Sequence, residues 1–315
     1  MAAVTVPLPK KKMSKQSRHE TMLFYICIAP FIIGVLFFDF IPLAASFILS
    51  FTQWDVLSAP KFIGLQNYIT AFTKDPNFPI TLRVTFTYAF VAVPLSLASA
   101  LMLAILLNEA TRGISFFRTA FYLPAIVSSV AAAILWTWIL NPAYGPIDGL
   151  LGLFHIKGPQ WFTDPHFALW GLVMMAPWGV GGQMLIFLAG LKGIDKQLYE
   201  AAELDGAGRL NRFFKITLPM LSPTLFFNLV MAIIGALQSF DTAYVISTAH
   251  AGTLGGPAKS TLFYVLYLYN RAFAGFQMGY ASALGWILFG IIMIITLLVL
   301  RSSNLWVFYE AERKH

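Results

Sequence analysis

Six long apolar stretches, at about residues 22–50, 82–107, 115–140, 167–191, 221–247 and 280–300, constrain this chain more than any other feature. A hydrocarbon layer about 30 Å thick is crossed by roughly 20 predominantly apolar residues in helical form, and each stretch reaches that length. The first is long enough to tilt or to protrude. Only 11% of the residues are charged and 58% are hydrophobic; soluble domains are about a quarter charged, so a water-soluble fold is ruled out. The fold class that follows is all-α integral membrane with six transmembrane helices. Pro30, Pro42, Pro94, Pro124 and Pro177 fall inside the stretches. Such prolines break soluble helices but are tolerated where neighbouring helices satisfy the freed carbonyls, so kinked helices around a pathway are expected.

The formal charge of +7 would suit nucleic acid only if the basic residues gathered on one face of a soluble domain. They gather instead at the ends of the apolar stretches. With six crossings both termini share a side, and of the 21 Lys and Arg that side holds 15, among them Lys10, Lys11, Lys12, Arg112, Lys192, Arg313 and Lys314. The opposite side holds 6, namely Lys61, Lys74, Arg83, Lys157, Lys259 and Arg271. Basic short loops mark the cytoplasm, so both termini and the loop around Glu200 are read as cytoplasmic. The expected organisation is a basic cytoplasmic segment at 1–21, one six-span domain at 22–301 and a cytoplasmic tail at 302–315. The apolar stretch after the basic leader exceeds the core of a signal peptide and reads as the first crossing.

The single Cys27 forms no intrachain disulfide and is expected as a buried small side chain. The outer loops, about 51–81, 141–166 and 248–279, are rich in Pro, Gly, Trp and Tyr. Trp54, Trp161, Tyr264, Tyr267 and Tyr269 read as a headgroup-level belt, with contact to an external partner as the alternative. There is no obvious inverted repeat of the kind many secondary transporters carry.

The cytoplasmic loop at about 193–222 carries the most information. Leu198 to Asp205 is rich in helix formers, with Asp195 available as N-cap and Gly206 or Gly208 able to end the helix in the left-handed conformation. A second short helix from about Leu210 is expected to stop at Leu218, because proline disfavours helical geometry in the residue before it and Pro219 follows. The result is a helix-turn-helix with small Ala201 and Ala202 and the carboxylates of Glu200 and Asp205, a knob suited to a cleft on another protein.

This run resembles the EAA motif of ABC importer permeases, whose pattern is met by Glu200, Ala201, Ala202, Gly206, Ile216, Leu218 and Pro219. Phe62 to Tyr68 resembles a segment that follows the first span of sugar permeases. Phe240-Asp241, Gly255-Gly-Pro257 with Thr261, and Gly279 to Ala283 resemble the last third of the carbohydrate-uptake group that contains the maltose and glycerol-phosphate systems. The chain is similar to the MalF-like or UgpA-like member of the permease pair; the stretch 248–254 departs from it in being longer.

The resemblance implies that the loop is a coupling helix docked on a cytoplasmic ATPase, with Glu200 pairing a basic group there. It implies a heterodimer with a second homologous permease, two ATPase subunits, an extracytoplasmic solute-binding protein and residence in a bacterial cytoplasmic (inner) membrane, multi-pass among its lipids. The chain has no phosphate-binding loop of its own, so ATP and Mg belong to the partners; it is a transport subunit rather than an enzyme, with no catalytic and no metal residues and no nucleic-acid partner.

Polar side chains inside a membrane protein mark a pathway or bond neighbouring helices. The candidates are Trp178, Gly179, Gly182 and Gln183 before the loop, and Asn228, Gly235, Gln238, Ser239, Asp241 and Tyr244 after it. Amides and hydroxyls with aromatic faces suit a sugar. Positions matching the sugar contacts of the maltose permease fall at Trp178, Gly179, Gly182, Ala232, Gly235, Ala236 and Ser239, several of them small. Neutral or acidic oligosaccharide and glycerol phosphate remain open as cargo. Rival readings are an ion-coupled transporter, for which the isolated Asp39 is the main inner acidic group, and a membrane enzyme, for which no metal-ligand spacing or nucleophile elbow is present.

Overall fold

A computed structural model describes residues 15–109, 113–250 and 254–308. The basic residues Lys10, Lys11, Lys12, Arg112, Arg313 and Lys314, and residues 251–253 of the long link at 248–254, lie outside the described residues. Helix dominates. Four helices are long and apolar enough to cross a membrane: α1 (His19–Leu49), α3 (Asn77–Asn108), α11 (Ser222–Thr248) and α13 (Met278–Trp306). Two further apolar segments are bent pairs, α4 (Ile114–Ile126) with α5 (Ser129–Ile139), and α7 (Ala168–Gly179) with α8 (Gly181–Lys192). Counting each pair as one crossing gives six. The expected single helices at 115–140 and 167–191 are therefore corrected to broken ones.

The core forms around α3, which packs against α8 and α11 through small Ala100 and Ala104 and through Met184, Phe187 and Leu221. Toward the other end Leu140, Leu172, Ile246 and Phe263 form a second cluster. By contrast, the most apolar window of α1 has no residue buried within the chain, and Cys27 on it is exposed rather than buried. Near its end α1 meets α13, where the Trp286 indole N–H donates to Ser46 Oγ at 3.3 Å and the ring sits 4.8 Å from Phe47.

Two prolines are accommodated by one device. The π-helical turns Val35–Phe40 and Phe213–Thr217 each end two residues before a proline, Pro42 and Pro219. A widened turn skips the hydrogen bond that proline cannot make and moves the carbonyl its ring would strike. This corrects the expected stop at Leu218, whose backbone remains helical.

The outer loops hold short elements. Thr52–Gln53 (β1) pairs antiparallel with Lys61–Phe62 (β2), and Gln66–Thr73 (α2) follows. Asn67 Nδ2 donates to the Ser50 and Thr52 carbonyls, both at 2.9 Å, satisfying oxygens at the end of α1. Tyr264 and Tyr267, on α12 (Tyr264–Tyr269), are buried instead of resting at the headgroups. Tyr264 N–H donates to Thr85 Oγ1 at 2.9 Å and its hydroxyl to the Leu284 carbonyl at 2.8 Å. Tyr269 is half-buried against Phe240, Tyr244 and Phe273. Trp54 is half-buried too, and Trp161 donates to Asp148 at 3.2 Å.

Asp75 joins these pieces. Its side chain is buried, it accepts from the Tyr267 and Tyr280 hydroxyls at 2.5 Å, and Arg271 lies 3.8 Å away. Burial raises the carboxyl pKa, but the two hydroxyls, the Asn77 amide and Arg271 outweigh it and hold Asp75 below its ordinary range. Tyr267 is pushed up to about 12, by burial first and by its bond to Asp75 second. A carboxyl whose folded pKa is depressed adds stability above its unfolded pKa and loses it as pH falls through the folded value. Asp75→Asn should cost about 2–3 kcal/mol at neutral pH, as for hydrogen bonds to a charged group. The gap in unfolding temperature to wild type should hold at neutral pH and narrow as pH falls below about 4, the unfolded carboxyl value; a gap that stays constant with pH would remove the ionised carboxylate from this role.

Candidate functional site

Three interruptions of helical backbone converge on one cavity. Between α4 and α5 the chain turns through 100°, because Val127 is extended and Ser128 opens a new helix by accepting from the Ala131 amide at 3.3 Å. Pro124 begins that break, as Pro177 begins the 45° bend between α7 and α8 at Val180. α11 opens at Gln238, where Ser239 and Phe240 leave helical geometry. Val127, Ser129, Val180 and Ser239 all line a cavity of about 520 Å³. Backbone that leaves the helix at membrane depth is tolerated where it is buried in protein or borders water, so the cavity is where such breaks belong.

The lining is neutral and mixed. Ser96, Ser129, Trp178, Gln183, Ser239 and Thr242 supply polar groups, and Tyr88, Met175 and Met231 supply aromatic and flexible apolar surface. Gln183 Oε1 is buried without a hydrogen-bond partner among the described residues, a costly condition in a dry site. Hydroxyl-bearing solutes match these groups.

Of the residues expected on a pathway, Trp178, Gly179, Gly182, Gln183, Gly235 and Ser239 line the cavity, together with Ala232 and Ala236. Four do not. Asn228 is buried in the helix packing of α11 with both amide atoms lacking a hydrogen-bond partner among the described residues, and Gln238 is exposed at the opening of that helix. Asp241 accepts a 2.7 Å hydrogen bond from Ser129 Oγ and so sits behind the lining it was expected to join. Tyr244 stacks on Phe240 at 5.5 Å. For Gln238, Asp241 and Tyr244, the opening at 238–240 changes the face that an unbroken helix would present. Tyr88, Ser96, Ser129 and Thr242 escaped the reading of the sequence; Ser96 within an otherwise apolar run was the available signal. Asp39 lies exposed on α1, away from the cavity.

The loop after α8 folds much as its residues dictate. α9 (Lys196–Leu204) starts at Asp195, whose carboxylate accepts from the Gln197 amide at 2.9 Å. Gly206 takes φ +78°, the left-handed conformation that ends a helix cheaply only in glycine. Gly208, the alternative, has φ −65° and instead precedes α10 (Arg209–Arg212). The two arms are pinned by Arg212 to Glu203 at 3.2 Å and by Tyr199 Oη to Thr217 Oγ1 at 2.9 Å. Glu200, Ala201, Asp205 and Gly206 are exposed, Ala202, Ile216, Leu218 and Pro219 half-buried. Beside them Leu204, 90% exposed, and Leu210 and Phe214 form an apolar rim that the sequence reading missed. Its signal was large apolar side chains in a loop otherwise charged. A rigid knob with acidic and apolar groups at its tip is the form of a protein-docking element.

Residues 92–307, covering the cavity and the loop, match the family described as binding-protein-dependent transport system inner membrane component. The chain belongs to this family. The permease is 48% identical over 96% of its length, and 97% of the relative's, to a Bacillus subtilis (strain 168) protein named "Probable ABC transporter permease protein YesP". It is 32% identical to the arabinooligosaccharides transport system permease protein AraP of the same organism, over 94% of this chain and 95% of that one. A bacterial alginate ABC transporter, solved with an alginate pentasaccharide-bound periplasmic protein, shares the fold with a TM-score of 0.79 at 22% identity, covering 91% of this chain and 96% of its own. The permease is thus a multi-pass membrane component of a carbohydrate-type ABC importer system, a transport subunit and not an enzyme.

Glycines separate shape from space here. A Cβ on Gly181 would lie 2.8 Å from Tyr122 Cα and 2.9 Å from the Phe121 carbonyl, both main chain, whereas Gly182 has open space. Gly181→Ala should force α4 off α8 and cost about 1–3 kcal/mol, as overpacking does; Gly182→Ala should leave stability within about 0.5 kcal/mol. Unfolding temperatures of the two purified variants check this, and equal loss in both would sink the packing assignment.

Proposed function

We propose that the permease forms, with a second homologous permease in a heterodimer, the passage for an oligosaccharide delivered by an extracytoplasmic binding protein. The convergence of three helix interruptions on one polar, uncharged cavity carries this reading. Sugar hydroxyls need donors and acceptors, which Ser96, Ser129, Gln183 and Ser239 offer, and sugar C–H faces need an aromatic such as Trp178. The printed names of AraP and of the alginate transporter support a saccharide cargo here. Glycerol phosphate is disfavoured, because the lining offers no cation to a phosphate.

In this reading both termini and the loop of α9 lie in the cytoplasm of a bacterial inner membrane, the side toward which the Lys and Arg residues are biased, with residues 1–21 and 302–315 flanking one transmembrane domain at 22–301. Two ATPase subunits, carrying ATP and Mg, grip the knob through Glu200, Asp205 and the Leu204–Leu210 rim. ATP-driven closure of the ATPases pulls on α8 and α11, whose outer parts wall the cavity, and alternates its access between the two sides.

Glu200 is exposed. Charge reversal at a docked site costs several kcal/mol, so Glu200→Lys should lower ATPase co-purification and transport at least about tenfold while membrane insertion persists. Unchanged transport would refute the coupling role. Uptake sustained by a proton gradient without ATP would favour the ion-coupled rival instead.

A further inference from the structure

A second cavity, of about 440 Å³, opens at the end of the molecule opposite the α9 loop and is lined by Arg83, Thr87, His166, Trp170, Lys259 and Ser260. Two permanent cations and a histidine meet there. Lys259 Nζ donates to Asn77 Oδ1 at 2.6 Å, a neutral partner, and no carboxylate among the described residues pairs with Arg83 or Lys259. Asp164, the nearby acid, is engaged by His166 at 3.1 Å. Ser260 Oγ is buried with no hydrogen-bond partner among the described residues. The strand of chain that presents it is strained: Ala258 and Lys259 have φ of +48° and +62°, a conformation that non-glycine residues hold only when the surroundings demand it.

The position fits a membrane surface. Arg83 lies about 14 Å from the midpoint of the 32-residue α3 at 1.5 Å per residue, the distance from the centre of a hydrocarbon layer about 30 Å thick to its edge. Trp170 is 47% exposed, as an interfacial belt residue would be. One and two turns deeper on the same face of α3, Phe86 and Phe90 are exposed, the latter by 83%. Phosphate chemistry is indicated at the top and acyl chemistry below it.

We propose that this pocket binds an anionic phospholipid. Arg83 and Lys259 neutralise the phosphate, the Ser260 and Thr87 hydroxyls donate to its oxygens, Trp170 rests against the glycerol region, and an acyl chain runs down Phe86 and Phe90. Charge-assisted hydrogen bonds from Arg and Lys to phosphate oxygens are the strong ones, and they hold such a headgroup here. The site is separate from the cavity proposed as the passage and does not depend on that proposal.

The test uses the full-length chain, purified in detergent and titrated with phosphatidylglycerol, phosphatidylcholine or inorganic phosphate, with unfolding temperature and lipid retained in native mass spectrometry as readouts. Phosphatidylglycerol should raise the unfolding temperature and remain bound, and phosphatidylcholine should do neither. Arg83→Gln combined with Lys259→Gln should weaken phosphatidylglycerol binding at least about tenfold. Arg83→Lys, which keeps the charge, should retain most of it and guards against a variant that merely misfolds. Equal binding of phosphatidylglycerol by wild type and the double variant would overturn the proposal, as would stabilisation by inorganic phosphate at the lipid's own concentration, which would make the ligand a free anion. A partner protein that protects Arg83 from modification in lipid-free complex would likewise overturn it.

Discussion

In an apolar slab every backbone N–H and C=O must be paired inside the protein, and the rest of this structure follows from that one demand. It is met by long helices wherever the chain faces lipid, as along α1 and α13. Departures from helix are then confined to places that supply other partners. Ser128 caps the start of α5 with its own hydroxyl, and the breaks at Val127, Val180 and Ser239 border the same hollow. The cavity and the breaks require each other: broken backbone needs a polar or protein-lined surrounding, and a hollow with polar walls needs helices that leave the lipid-facing register.

The link from the α9 knob to that hollow is short. Tyr199 binds Thr217 and Arg212 binds Glu203, so the two arms of the knob share their displacement. The π-helical turn Phe213–Thr217 leads through Pro219 into α11, whose far part opens at Gln238. On the other arm, Lys192 ends α8, whose first turn carries Gly182 and Gln183 on the cavity wall. In the proposed coupling, a push on the knob reaches the cavity along these two helices. The close crossing of Gly181 over the Tyr122 backbone ties the first of those helices to the broken pair α4 and α5.

Much of this was legible in the residues. Apolar length located the six apolar segments in order, four as long helices and two as bent pairs, since hydropathy registers the slab directly. Asp195 and Gly206 announced both ends of α9 because a capping carboxylate and a left-handed glycine act locally. What failed depended on neighbours far along the chain. Tyr264 and Tyr267 looked interfacial, but Thr85, Leu284 and Asp75 bury and satisfy them. The 100° turn at 127–128 was not readable from Pro124, since a proline elsewhere in the chain leaves its helix unbroken, as Pro94 does within α3. Asp241 was assigned to the pathway by its charge, yet its partner Ser129 lies 112 residues earlier, a distance no local pattern spans.

The two ends of the molecule are held differently, and the difference bears on how it works. At the end of the outer loops, Asp75 draws together the start of α3, α12 and α13 through Tyr267, Tyr280 and Arg271, and Asn67 locks α2 to the end of α1. These bonds are buried or half-buried, and loss of any one leaves polar groups stranded, which makes that end stiff. At the other end, the knob is joined by one half-buried hydroxyl pair and one ion pair whose Glu203 is 71% exposed, contacts that solvent competes for. In the proposed coupling, force applied to the exposed Glu200 and Leu204 passes into helices anchored at their far ends. Helices free at one end and fixed at the other respond to such force by tilting, and the hollow between the two ends is where a small tilt changes the width of the walls most.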